Sequence, residues 1–122
     1  MKRLFLIFLL YTGISCVCGS HIFAAENDSK EKLIYDTLLT SLSPYITTSI
    51  KDYYGDLSKS YELYDAKINN IHKIKEGEFS FIVKLQIHTY ENAHNPPYGL
   101  ETITFKVTPA GITTLDFKHL DD

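Results

Sequence analysis

Hydrophobic positions along this chain follow two different periods, and the change of period divides it. Tyr35, Leu39, Leu42, Ile46, Ile50 and Tyr53 recur every three or four residues, which places them on one stripe of an α-helix. Asn27-Asp28-Ser29 followed by Glu31 reads as the start of that helix, with Asp28 and Glu31 at capping-box spacing. Gly55 closes the segment where a left-handed C′ residue is expected. Ser43-Pro44 interrupts it. Proline lacks the N–H that a helix interior needs, but it suits a first turn, and serine is a good N-cap. The segment therefore predicts one kinked helix or two consecutive helices. The stripe keeps its phase across the break, so both halves should face the same sheet.

Asp56 to Ser60 is polar and reads as a linker, and from Tyr61 the period is two. Tyr64, Ala66 and Ile68 alternate, then Ile71 and Ile74 fall out of phase, which predicts a bulge in a first strand. Glu76-Gly77 marks a turn. Phe79, Phe81, Val83, Leu85 and Ile87 alternate with polar residues in a long second strand. Glu91 to Gly99 reads as a loop around Pro96-Pro97. Ile103, Phe105 and Val107 make a third strand, Pro109-Ala110-Gly111 a tight turn, and Leu115 and Phe117 the apolar side of a fourth. The expected fold is α+β, with the helical segment packed on a four-stranded antiparallel meander, like a cystatin-type roll.

The N-terminus changes where this fold is expected to reside. Lys2 and Arg3 precede an apolar run from Leu4 to Ile14, and small residues follow. That is the form of an export signal over residues 1–25, with cleavage near 20 or 25. The run is short against the ~20 residues of a membrane span. Retained, it would be the chain's one link to a membrane. Both cysteines, Cys16 and Cys18, lie inside it, so the remaining domain of residues 26–122 has no disulfide and no thiolate ligand. Cleavage after Ala25 leaves 97 residues of net charge −5. Such a domain is large enough for a hydrophobic core. It has no basic stripe for a phosphate backbone, which argues against nucleic acid as a partner.

Leu42-Ser43-Pro44-Tyr45-Ile46, Asp52-Tyr53-Tyr54-Gly55, and Ala93 to Gly99 with Ile103-Thr104-Phe105 together carry a resemblance. The chain from about Lys32 to His119 resembles small exported proteins of Gram-positive spore-forming bacteria known as domain of unknown function 3888. The resemblance implies an architecture and a secreted or cell-envelope location. It implies no activity and no site residues.

The most distinctive stretch is the proline loop, where His94, Asn95, Pro96, Pro97 and Tyr98 form the candidate binding surface. Two prolines hold a segment extended at small entropic cost, as a recognition loop requires. The plainer reading is a hairpin connection that sets strand register. His88, Glu91 and His94 form a His-x-x-Glu-x-x-His series, a candidate metal set with His72 as a conceivable third imidazole. These residues do not have the single-helix spacing of zinc proteases, and the plainer reading leaves them solvated. Tyr53, Tyr54, Tyr61 and Tyr64 cluster near the end of the helix, either as a binding surface or as a core edge. His119 shares the core phase of the last strand and reads as a half-exposed edge residue, and Asp121-Asp122 as a frayed end. No Gly-x-Ser-x-Gly elbow and no phosphate-cradling glycine loop occurs, and the carboxylates Glu76 and Glu78 flank a turn.

The sequence thus makes no positive case for catalysis and calls for no cofactor. The leading expectation is a non-enzymatic module that binds a protein or peptide in the cell envelope. A sheet edge open to added strands also allows a homodimer. The alternatives are a small metal-dependent or metal-binding protein using His88, Glu91 and His94, and a structural envelope or sporulation component.

Overall fold

The computed structural model describes residues 28–55 and 59–122. The expected export signal and its cysteines lie outside the described residues, as does most of the predicted linker. The fold is α+β: one helix, α1 (Lys30–Tyr54), packs on an antiparallel sheet of five strands. The strands are β1 (Lys59–Ser60), β2 (Lys67–Lys73), β3 (Phe81–Glu91), β4 (Asn95–Thr108) and β5 (Gly111–Asp121). Among the described residues no helix is long and apolar enough to cross a membrane.

α1 runs unbroken through Pro44, so the alternative of two helices is set aside. Tyr61 supports the helix at that point. Its hydroxyl donates to the Ser43 carbonyl at 3.0 Å and meets Ser43 Oγ at 3.0 Å and Thr47 Oγ1 at 2.8 Å. The N-cap is Ser29, whose Oγ accepts from the Lys32 N–H at 3.2 Å, and not the predicted Asp28. Gly55 ends the helix at φ 75°, donating to the Lys51 carbonyl, as its position predicts. The buried stripe is Leu39, Leu42, Ile46, Ser49 and Ile50. Tyr53 is half exposed, and Tyr54, one residue on, turns toward the sheet.

The predicted four-stranded meander becomes five strands because its first strand is split. β1 and β2 both pair with β3 along one edge, separated by a 3₁₀ turn at Leu63–Asp65. That turn takes up the segment in which Tyr64 and Ala66 read as strand, and Tyr64 is left 83% exposed. The expected bulge is present, as a register shift between Ile68 and Asn70. β3, β4 and β5 then follow as consecutive hairpins. Val83, Leu85 and Ile87 of β3 and Ile103 and Phe105 of β4 close the core against the helix. Each such side chain taken from water stabilises the fold by about 1.5–3 kcal/mol.

Two further expectations change. Phe79 is exposed and precedes β3, which starts at Phe81. Leu115 leaves the core phase because the β4–β5 register shifts between Thr104 and Phe105. Thr104 pairs with Asp116 and Phe105 with Thr114, so Leu115 is the extra residue and is exposed. Thr114 takes the inward position and meets the buried Ser49 hydroxyl at 2.7 Å.

Candidate functional site

The predicted loop from Glu91 to Gly99 is mostly strand. Only Asn92-Ala93-His94 connects β3 to β4, with Asn92 at φ 49° and His94 at φ 59°. β4 starts at Asn95, opposite Glu91, and Gly99 pairs with Thr89. Pro96, Pro97 and Tyr98 therefore face Tyr90 alone, in a bulge where no ladder N–H is asked of proline. The Pro96–Pro97 bond is cis. Lys59 secures this hairpin from β1. Its ammonium donates to the Pro97 carbonyl at 2.6 Å, lies 3.8 Å from Glu91 and sits 5.4 Å from the centre of the Tyr54 ring.

This end of the sheet forms a cleft of about 270 Å³. Its floor is His88, Tyr90 and Asp122, one wall is Glu62, Tyr64 and Asp65, and the other is His94 and Tyr98. Tyr90 and His94 stack at 3.9 Å between ring centres and 21° between planes. The left-handed backbone at His94 holds that ring against the strand it has just left. Tyr98 donates to the His94 carbonyl at 2.8 Å, and Tyr90 to Glu62 at 3.1 Å. Burial, and then the bond to Glu62, raises the Tyr90 hydroxyl pKa above its ordinary value. His88 lies between two carboxylates, with Nδ1 at 2.7 Å from Asp65 and Nε2 at 3.3 Å from Asp122. The terminal aspartates are thus engaged, against the expectation of a frayed end.

The structure brings His88, His94 and Tyr98 into one cleft, while Pro96 and Pro97 lie in the adjoining β4 bulge and do not line it. Asn95 pairs in the ladder outside it. It does not gather the candidate metal set. Glu91 faces Lys59, His72 lies on β2 near Asn70, and among the described residues no three His, Asp or Glu side chains are grouped to hold a metal. The four tyrosines do not form one cluster: Tyr53 stacks on Phe117 and meets Tyr54 edge-on, Tyr54 reaches the core, Tyr61 bonds Ser43 beside Pro44 and Tyr64 walls the cleft. The cleft carries three carboxylates and three phenol rings. Among the described residues no lysine, arginine, serine, threonine or cysteine lines it.

On the helix side of the same sheet end lies a polar cluster that sequence reasoning missed. Glu101 is fully buried. It accepts from Tyr54 at 2.5 Å, from Thr89 at 2.8 Å and from His119 Nδ1 at 3.1 Å, while His119 Nε2 donates to Asp121 at 2.9 Å. Asp121 raises the His119 pKa most, partial burial acts against it, and Glu101 adds to the rise. Burial first, then Glu101, raises the Tyr54 pKa. Gly99 roofs the cluster. Glu101 was visible as a charge in phase with Ile103 and Phe105, a position where only a partnered group is tolerated.

A family model described as a protein of unknown function (DUF3888) matches residues 34–121. No curated protein matches the chain. No solved structure matches it.

Proposed function

Because the chain belongs to the DUF3888 family, whose function is unknown, we propose a function from its own geometry: it is a non-enzymatic binding module whose cleft receives a cationic side chain of a peptide or protein. The observation that carries this reading is the lining. Glu62, Asp65 and Asp122 line it with carboxylates, Asp65 and Asp122 flanking His88 and Glu62 accepting from Tyr90, and the exposed Tyr64 and Tyr98 supply ring faces. A guanidinium or ammonium group gains from both, since it pairs with carboxylates and lies favourably over aromatic rings. The ring of Tyr90 is already held by His94 and Glu62, so little ordering is left to binding. A nucleophile with an adjacent base would favour hydrolysis, but among the described residues no hydroxyl or thiol other than the tyrosines lines the cleft. The export signal expected from the sequence supports a binding role outside the membrane.

The test is calorimetry of the protein with two peptides that differ only in arginine against norleucine. The arginine peptide should bind and the norleucine peptide should not. Asp65→Asn should weaken the arginine peptide about fivefold, the size of one partly exposed ion pair. Equal binding of both peptides, or of neither, sinks the reading.

A further inference from the structure

The cleft opens at one end of the sheet face that α1 leaves uncovered. Val83, Leu85 and Ile87 point to the helix, so alternation sends Lys84, Gln86 and His88 to the other side. Register extends that face across the strands. His88 pairs with Leu100, and Leu100 with Leu120. In the next row Lys67, Gln86, Thr102 and Lys118 are neighbours. Then come Asn70, Lys84, Thr104 and Asp116, with Lys106 one row further. The four lysines are exposed, and Asp116 is the one acidic residue in these rows. In a chain of net charge −3, this face has opposite charge at its two ends: acidic and aromatic at the cleft, basic beyond the leucines.

We propose that the occupant of this face is one extended polypeptide segment, with a basic side chain in the cleft and acidic side chains over the lysines. The inference rests on the cleft reading above and adds the sequence order of the ligand. A uniformly anionic polymer would meet Glu62, Asp65 and Asp122 at one end, and a uniformly basic one the lysines at the other. Only a segment with both signs in this order is complementary along its length. Lys84 is four residues along β3 from His88, about 14 Å at ~3.4 Å per residue. Lys106 is six residues along β4 from Leu100, about 20 Å on the same rise. With Lys67 and Lys118 in the row two residues from His88 and Lys84 in the row four residues away, the acidic residues start two to four residues from the basic one.

Three synthetic peptides test this: arginine, a Gly-Ser-Gly spacer and three glutamates separated by glycines; the same with glutamines for glutamates; and the glutamate peptide with norleucine for arginine. The glutamate peptide should bind about tenfold more tightly than the glutamine one, as three exposed ion pairs supply. That advantage should shrink to about threefold in the exposed double variant Lys84→Gln/Lys106→Gln, which leaves Lys67 and Lys118, and vanish at ~0.5 M salt. Equal binding of the first two peptides overturns this inference while leaving the cleft reading intact. Loss of binding by all three, or full binding by the norleucine peptide, removes the cleft reading instead. Sedimentation of the protein alone checks for another occupant: a dimer broken by the same double variant would assign the face to a second copy and overturn the proposal.

Discussion

Gly99→Ala should be among the most damaging single-methyl changes this fold can undergo. Gly99 is buried in β4, and a Cβ there would lie 2.6 Å from Glu101 Oε1, 2.8 Å from His119 Cε1 and 2.8 Å from Thr89 Oγ1. All three atoms belong to the hydrogen-bonded cluster around Glu101, so none can retreat without opening a bond to a buried carboxylate. Overpacking of a tight interior costs roughly 1–3 kcal/mol. A weakened bond to a charged group adds about 1 kcal/mol or more. The sum, about 2–4 kcal/mol, corresponds to a melting point lower by roughly 10–20 °C in a domain of this size. Urea unfolding followed by tyrosine fluorescence measures it directly. Gly77→Ala is the control: a Cβ there meets nothing within 4 Å, though Gly77 has φ 80°. It should cost only about 1 kcal/mol, from the left-handed backbone alone. If Gly99→Ala unfolds at the wild-type urea concentration, Glu101 is not held by the close-packed cluster described here.

Stability should fall as pH rises above neutral, because the raised His119 pKa means that the folded chain holds a proton the unfolded chain releases. That contribution is complete below the unfolded histidine value near 6.5 and is lost through the raised folded value. The groups facing His119 are Tyr53 and Tyr54 from α1, Glu101 from β4 and Asp121 on its own strand. His119→Gln should flatten the slope, seen in melting temperatures from pH 5 to 9; an unchanged slope would assign it to another group. Tyr61→Phe removes the bonds that support the helix at Pro44 and should cost about 1–2 kcal/mol by urea unfolding. A change below ~0.3 kcal/mol would mean that Pro44 needs no support. Leu115→Ser should stay within about 0.5 kcal/mol of wild type, and Phe117→Ala should cost about 2 kcal/mol or more. The reverse order would place Leu115 in the core.

The helix, its Gly55 terminus, the long alternation of β3 and the Pro109-Ala110 hairpin were legible because each has a local cause: period, left-handed glycine or turn chemistry. What was not legible depended on partners distant in sequence. Pro44 stays inside one helix, and the Tyr61 hydroxyl that bonds the Ser43 carbonyl beside it comes from seventeen residues further along the chain. Leu115 leaves the core because a bulge inserts it between Thr114 and Asp116. The proline stretch read as a loop because composition does not reveal that Glu91 pairs with Asn95. For the site, His88, His94 and Tyr98 were legible as unusual residues close in sequence. Their companions Glu62, Tyr64, Asp65 and Asp122 arrive from the 3₁₀ turn and the far end of β5, through contacts that no local pattern encodes.

The central claim is that the acidic, aromatic cleft takes a cation, and a chemical-shift titration of the protein with the arginine peptide tests it most directly. Progressive, saturable shifts of the Tyr90, His94 and Tyr98 ring signals are expected, absent with the norleucine peptide and reduced in Asp65→Asn. Ring signals that stay unmoved at saturating peptide, or move equally with norleucine, would contradict it.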